Sequence, residues 1–556
     1  MRTAGSTVST SSVTSTGSGR RGWRSCVSWS GRDRQGGGGG AGPIGDAWAE
    51  GQSLDLRIVP AALTAWSVSA AGIVWHPGAA VMVGLGAVGV TWLAARWGAV
   101  PDVADHRPVA AAVLAVAAVA AGFAMAVGLR VHQVEHHPIG RFYGNAATVV
   151  VVPGETPRPI NGGRLMFRAT LREVDRVPMS GRVLVFAPAA FGRAGPGTPV
   201  RFRVTVNRPD RNDLSVAVLA ASGQPSLGEA SAVQRVAAQI RSRFADAARA
   251  VLPADQAAML PALVLGDTSA VTGTTTAQFR TAGLTHLTAV SGANVTIVCG
   301  ALLLSAVLVG PRVAVLLAGA GLVGFVIVVQ PSASVLRAAV MGAVTLLAVL
   351  THRRRQAVPA LAASVIALMI AAPELAVDAG FALSVCATAG IVVLAPVWAG
   401  RLQDRGWPRP VAAAVSVAVV AQLVTAPLVA GISGTVSLVA VAANLAVAGV
   451  IPPITILGTA AAVCAGIAPG GAQLLIRFTG PELWWLLSVA RWASELPAAA
   501  LPSPSGLAGV VSVALGGVAL TVLWRLRWVR RGLAVSVFGL LAWVLAGHVV
   551  GAVGSA

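Results

Sequence analysis

The chain contains no lysine: all 41 of the basic residues among its 556 are arginine. That absence excludes a P-loop, a Schiff-base lysine and a lysine general base, so no Walker-type ATP hydrolysis is expected of it. Charge of either sign is also scarce. Charged residues make up 11% of the sequence and hydrophobic ones 55%, where an average soluble domain carries about 25% charged residues. A soluble globular chain is thereby excluded, and an integral membrane protein is expected. Cysteine is limited to Cys26, Cys299, Cys386 and Cys464, three of them in apolar runs. None has metal-ligand spacing, so neither a disulfide framework, a metal site nor any cofactor is expected.

What is present is unevenly distributed. Residues 1–50 are rich in Ser, Thr, Gly and Arg, as a disordered arm would be. The N-terminal membrane segment, 51–128, holds apolar runs at 58–75, 77–97 and 108–128, each near the ~20 residues a bilayer crossing needs. From 129 to 228 the chain turns polar. Residues alternate in 164–171, 181–186 and 200–206, and Gly and Pro separate these runs, which predicts a small OB-like β-barrel. Within 229–252, Val233, Val236, Ile240, Phe244, Ala248 and Val251 form one helical stripe, predicting an amphipathic helix at the membrane surface. From about 285 the chain is apolar almost to its end, enough for about ten more crossings. The expected fold is a polytopic α-helical membrane protein of about 13 transmembrane helices with an inserted extracytoplasmic OB-like barrel. Its main membrane domain spans 229–525 and its last crossing 526–556.

Arginine distribution sets the expected orientation. With the amino terminus in the cytoplasm, Arg96, Arg107, Arg312, the run Arg353–Arg355, Arg401, Arg405, Arg409 and Arg525 to Arg531 also fall inside. Residues 129–285 and the carboxyl terminus then lie outside, and Arg477 and Arg491 are exceptions. The net charge of +20 has two readings that composition does not separate, positive-inside topology and an anionic partner such as nucleic acid.

Polar residues enter the apolar half at few places, where hydrocarbon makes them costly unless they face a partner or a wet cavity. The stretch from Leu260 to Gly300 carries Asp267, Arg280, His286, Ser291 and Asn294. Arg337, Asp378, Gln422 and Asn444 follow, and Arg337 is expected to pair with Asp378 near the outer face. Prolines in these spans suggest broken helices lining protein-filled or water-filled space. The same residues can instead cap helices and bond neighbouring spans, and Ser291 with His286 could form a nucleophile pair. Gly84–Gly89 and Gly319–Gly324 fit a dinucleotide fingerprint, yet both lie inside spans, where small residues serve close helix packing. His132, His136 and His137 cluster after the third run without a correctly spaced metal partner beyond Glu135.

The stretch Met259-Leu-Pro-Ala-Leu-Val-Leu-Gly-Asp267, continuing through Gly283-Leu-Thr-His-Leu-Thr-Ala-Val-Ser-Gly-Ala-Asn-Val295, closely resembles the signature of the ComEC competence family. Three further blocks resemble the same family's membrane domain: Pro331-Ser-Ala-Ser-Val-Leu-Arg-Ala-Ala-Val-Met341, Asp378-Ala-Gly-Phe-Ala-Leu-Ser384, and Ala421-Gln-Leu-Val-Thr-Ala-Pro427 running into Ala443-Asn-Leu-Ala446. Together they cover about 230–525 in family order. The resemblance implies a membrane channel for DNA uptake in natural transformation, preceded by an extracytoplasmic OB-like domain. Two departures matter. Family members often show His where this chain has Asn294, which counts against proton transfer there. Many continue into a metallo-β-lactamase-like domain, whose His-x-His-x-Asp-His cluster does not occur in these 556 residues, so a metal nuclease is not expected in this chain.

Across 129–223, 13 arginines stand against six acidic residues, an excess of seven. Arg164, Arg168, Arg182, Arg201 and Arg203 are candidates to track phosphates, with Phe167 and Phe202 stacking bases. The phenylalanines alternate as a barrel core would, so the arginines are preferred. His286, Ser291, Asn294, Arg337, Asp378, Gln422 and Asn444 are candidates to line the path. The expected function is a plasma-membrane channel passing single-stranded DNA into the cytoplasm, without enzymatic activity of its own. Its expected partners are single-stranded DNA, the lipid bilayer, a separate DNA receptor, a separate cytoplasmic ATPase motor and a separate nuclease. A small-solute or ion-coupled transporter is the alternative, and a hydrolase using Ser291 and His286 a third.

Overall fold

The computed structural model describes residues 55–97, 107–160, 162–288, 292–305, 310–329, 332–350 and 356–523. The expected N-terminal arm, Ser291, the run Arg353–Arg355 and the expected crossing at 526–556 lie outside the described residues. The three N-terminal apolar runs become α1 (Val59–Val74), α2 (Pro77–Trp97) and α3 (Arg107–Glu135). A Cβ at Gly84 would sit 3.1 Å from the Ala120 Cβ, so this glycine serves close packing of α2 on α3.

Six strands follow: β1 (Ala146–Pro153), β2 (Arg158–Ile160), β3 (Arg164–Val174), β4 (Val177–Ala187), β5 (Val200–Asn207) and β6 (Ala217–Leu227). The sheet runs β1-β5-β6-β4-β3-β2, and β1 also pairs with β3. Five strands therefore close into a barrel, with β2 added beyond β3. Only β4 and β6 run parallel; the other pairs are antiparallel. The β3–β4 hairpin turns through Asp175 and Arg176, both at positive φ, as a two-residue turn matched to strand twist requires. Period-two alternation builds the core: β5 points Phe202, Val204 and Val206 inward and Arg201, Arg203 and Thr205 outward. Phe191 stacks edge-on against Phe202 with ring centroids 4.9 Å apart, and Phe167, Leu171 and Leu219 complete the interior. Phe167 and Phe202 are 0% and 3% exposed. This corrects the expectation that they stack on bases: an interior ring offers no face to a ligand.

The remaining elements are α4 (Ala232–Val251), α5 (Ala254–Leu265), α6 (Gly273–Thr281), α7 (Gly292–Ser305), α8 (Pro311–Val329), α9 (Ala333–Leu350), α10 (Ala357–Ala371), α11 (Ala379–Val393), α12 (Ala395–Gln403), α13 (Arg409–Ser433), β7 (Thr435–Ser437), α14 (Ala440–Val447), α15 (Ile451–Cys464), α16 (Pro469–Phe478), α17 (Gly480–Glu495), β8 (Ala500–Pro502) and α18 (Leu507–Leu523). The Ser231 hydroxyl caps α4 by accepting from the Gln234 N–H. Its expected stripe divides: Phe244 and Ala248 are buried, while Val233 and Val236 remain exposed. Arg241 donates to the Val328 carbonyl and Arg243 to the Gly466 carbonyl, each at 2.9 Å. Both carbonyls belong to helix C-terminal ends, of α8 and α15, where the backbone lacks partners of its own and a cation is favoured. The α4 helix is thus a strap across two helix ends.

Among the described residues, four helices are long and apolar enough to cross a membrane, or five if the bent pair α14–α15 counts as one span. Seven more apolar helices are shorter, at 10–17 residues. One apolar stretch is broken by a 55° bend between α14 and α15, just before Pro452-Pro453. Arg477 and Arg491, the exceptions in the arginine pattern, lie on α16 and α17, which belong to neither group of apolar helices.

Candidate functional site

The barrel is fastened to the membrane half at one seam. Arg168 of β3 places its Nη2 3.7 Å from Asp378 Oδ2, and Arg182 of β4 pairs with Glu374. Both carboxylates belong to the connection between α10 and α11, a short 3-10 helix at Pro373–Val377 followed by the α11 N-cap. Asp378 is that cap, its Oδ1 accepting from the Phe381 N–H at 2.8 Å. The α1 helix closes the seam from behind: the Trp66 indole donates to the Ala376 carbonyl at 2.9 Å and its ring meets Phe381 edge-on at 5.4 Å. Asn212, from the β5–β6 loop, donates to the Val74 carbonyl at 2.9 Å. The histidine cluster lies beside this region. His132 and His136 stack at 4.1 Å, and a His137 ring nitrogen lies 3.2 Å from the Ser180 carbonyl.

Two expectations are corrected here. Arg168 and Arg182 are engaged with carboxylates of the membrane half instead of standing free for phosphates. Arg337 and Asp378 do not pair, because Asp378 is taken by Arg168 and the start of α11. Arg337 is 6% exposed. Its Nε donates to Ser384 Oγ at 2.8 Å, and its Nη1 approaches Met341 Sδ at 3.1 Å. Ser384 Oγ in turn lies 3.3 Å from Ser334 Oγ. A Cβ at Gly292 would come within 2.9 Å of Arg337 Nη2, so the bare glycine lets the guanidinium lie against the start of α7. Among the described residues no carboxylate forms an ion pair with this buried cation; hydroxyl and sulfur acceptors partly replace its hydration.

The other intramembrane polar residues converge on the signature stretch. At Gly283 the chain turns with φ +72°, and a Cβ there would lie 2.4 Å from the Ala440 Cβ; only glycine meets both conditions. Asn444 Nδ2 reaches the Gly283 carbonyl at 3.4 Å and the Ala440 carbonyl at 2.8 Å. Ser437 Oγ donates to the Thr281 carbonyl at 2.7 Å, while Gln422 Nε2 reaches the Ser437 carbonyl at 3.4 Å. Gln422, Ser437 and Asn444 thus cradle the turn that carries His286, which is exposed on a short 3-10 helix at Thr285–Leu287. Asn294 is 5% exposed; its Nδ2 donates to the Leu263 carbonyl at 2.9 Å, and Thr455 Oγ1 reaches its Oδ1 at 3.4 Å. It ties α5, α7 and α15 together beside a cavity of about 10 Å³, at the lower limit for a single water. Ser384, Ser437, Thr455 and Glu374 join the cluster without having been marked as site residues. A serine in an apolar run carries no motif, and its partner is visible only once the helices are packed.

On the barrel, Arg164 and Arg203 are exposed and enter no ion pair among the described residues. Arg201, on the same strand face as Arg203, has its Nη2 3.3 Å from Glu173 Oε1. Among the described residues, no group of three or more His, Cys, Asp or Glu is arranged to hold a metal.

Candidate spanning helices, a closed five-stranded barrel fastened to them by ion pairs, and a set of polar side chains bracing one signature turn define a membrane protein with an inserted β-barrel. Residues 263–528 match the model of the Competence protein family, so this stretch of the chain is similar to that family. No curated protein and no solved structure matches the chain.

Proposed function

We propose that the chain is a channel that passes single-stranded DNA through the plasma membrane, with the barrel outside as its collecting module. The observation that carries this reading is the outward row of Arg201 and Arg203 on β5, on a barrel docked against the family-matched membrane half. The strand order, with one parallel pair closing an otherwise antiparallel five-stranded barrel, is OB-like, and OB-folds bind oligonucleotides along such faces. Cationic side chains in a row follow a phosphate backbone without sequence preference. With Phe167 and Phe202 interior, the barrel's contribution is electrostatic: Arg164 and Arg203 supply it directly, and Arg201 joins them by leaving Glu173, its partner within the barrel. The braced turn carrying His286, and Arg337 behind it, form the part of the membrane half that the strand passes. The chain acts as a conduit and not as a hydrolase, and a separate cytoplasmic motor, receptor and nuclease complete the process. The amino terminus then faces the cytoplasm.

The test is binding of a fluorescent oligothymidylate to the purified full-length chain over a salt series. Each phosphate contact on a single strand contributes about 0.7 to the slope of log K against log salt. Replacing Arg201→Gln and Arg203→Gln together is expected to lower that slope by up to about 1.4 and to reduce transformation of a complemented deletion strain. An unchanged slope, or full transformation in the deletion strain itself, overturns the reading.

A further inference from the structure

A groove of about 410 Å³ runs between α3 and α10, within the range of ligand sites, about 300–1,000 Å³. One wall is two adjacent rows of α3. Ala118, Gly122, Ala126 and Arg130 follow at intervals of four residues on one helix face, with Val119, Phe123 and Val127 beside them. A Cβ at Gly122 would meet nothing within 4 Å, so the space before the row of small residues is open. Met369, Ile370 and Pro373 of α10 and its C-terminal connection form the other wall.

The row ends in charge. Arg130 is exposed at the barrel-proximal end and enters no ion pair among the described residues. From Ala118 to Arg130 the helix rises about 18 Å, close to one leaflet of the ~30 Å hydrocarbon core. The α3 residues that line the groove lie within a candidate span, Ala110–Phe142. An apolar slot one leaflet long, with a single unpaired cation at one end and no acidic residue in its lining, has the chemistry of a hydrocarbon chain carrying an anionic head.

We propose that this groove binds a phospholipid, its acyl chain along the Ala118–Ala126 row and its phosphate on the Arg130 guanidinium. The site is independent of the DNA reading and neighbours the seam. Pro373, at the groove's end, is followed directly by Glu374, which pairs with Arg182 of the barrel. An occupied groove therefore buttresses the connection that holds the barrel.

The test uses the full-length chain purified in mild detergent, with palmitoyl-oleoyl phosphatidylglycerol as the probe and the matching diacylglycerol as the headless control. Native mass spectrometry reads bound lipid, and thermal melting reads its effect. The wild type is expected to retain one phosphatidylglycerol in preference to diacylglycerol and to melt at a higher temperature when it is supplied. Gly122→Leu, whose Cβ would meet nothing within 4 Å and whose side chain occupies the groove, is expected to lose both retention and melting shift. Arg130→Gln is expected to keep a lipid but to lose the preference for phosphatidylglycerol. Equal retention by all three proteins, or no retention by the wild type, overturns the proposal. So does a change in oligomeric state in Gly122→Leu with lipid retention intact, which assigns the groove to a second copy of the chain.

Discussion

Asp378 does two separable things with its two carboxylate oxygens, and substitutions can divide them. Oδ1 caps α11 by accepting from the Phe381 N–H at 2.8 Å, and Oδ2 faces Arg168 Nη2 at 3.7 Å. Asparagine caps a helix about as well as aspartate, so Asp378→Asn removes only the ion pair. The Arg168 side chain is 56% exposed, so that pair contributes about 0.2–1 kcal/mol. Asp378→Ala removes the cap as well, which costs about 1 kcal/mol more. Hydrogen exchange at the Phe381 amide reads the cap directly. One kcal/mol of easier opening corresponds to roughly fivefold faster exchange, expected in Asp378→Ala and absent in Asp378→Asn. The ion pair shows in the salt response, because the Debye length falls from about 30 Å at 0.01 M to about 3 Å at 1 M. The melting difference between wild type and Asp378→Asn is expected to shrink over that range, while the difference between the two variants persists. Equal exchange rates in the two variants would refute the division of roles, as would a salt-independent gap between wild type and Asp378→Asn.

Three further outcomes follow from the same geometry. Ser384→Ala deprives the Arg337 Nε of its acceptor, and losing a hydrogen bond to a buried charge is expected to cost about 1.5–3 kcal/mol, read as a lower melting temperature. Gly283→Ala forces a Cβ into left-handed backbone, at about 1–2 kcal/mol, and against Ala440 as well; a marked fall in folded yield is expected, and normal yield would contradict the packing at this turn. Tyr143 donates its hydroxyl proton to the Val216 carbonyl at 2.7 Å, and burial raises its pKa, with Arg208 partly opposing the shift. The folded barrel therefore holds this proton more tightly than the unfolded chain, so its contribution is present below the ordinary tyrosine value of about 10 and is lost as pH rises above it. Tyr143→Phe is expected to remove that loss when barrel unfolding is followed from pH 8 to 11.

Strand β5 was legible because Val200-Arg-Phe-Arg-Val-Thr-Val alternates with period two, and a closed barrel preserves that alternation. The same alternation already pointed Phe167 and Phe202 toward the barrel core, and the fold places both there. Arg168 and Arg182 read as free cations because their carboxylates lie far along the chain, in a connection between helices. Arg337 and Asp378 were matched by depth and charge alone. Asp378 begins α11, however, and Ser384, on that helix, takes the guanidinium. The signature turn was legible by residue type and spacing, whereas Ser437 carries no pattern and acquires its role only when β7 is folded against Thr281.

The Trp66 indole and its acceptor at Ala376 are separated by 310 residues, and Arg243 and its acceptor at Gly466 by 223. At a synthesis rate of about 5–20 residues per second, the first partner emerges roughly 15–60 s after α1 and the second roughly 11–45 s after α4. During that interval the early helices are in place while the surfaces they complete do not yet exist, and α4 is an amphipathic segment without its two helix ends. These two contacts are therefore ordered by translation: Trp66 and Arg243 each wait for an acceptor made more than two hundred residues later.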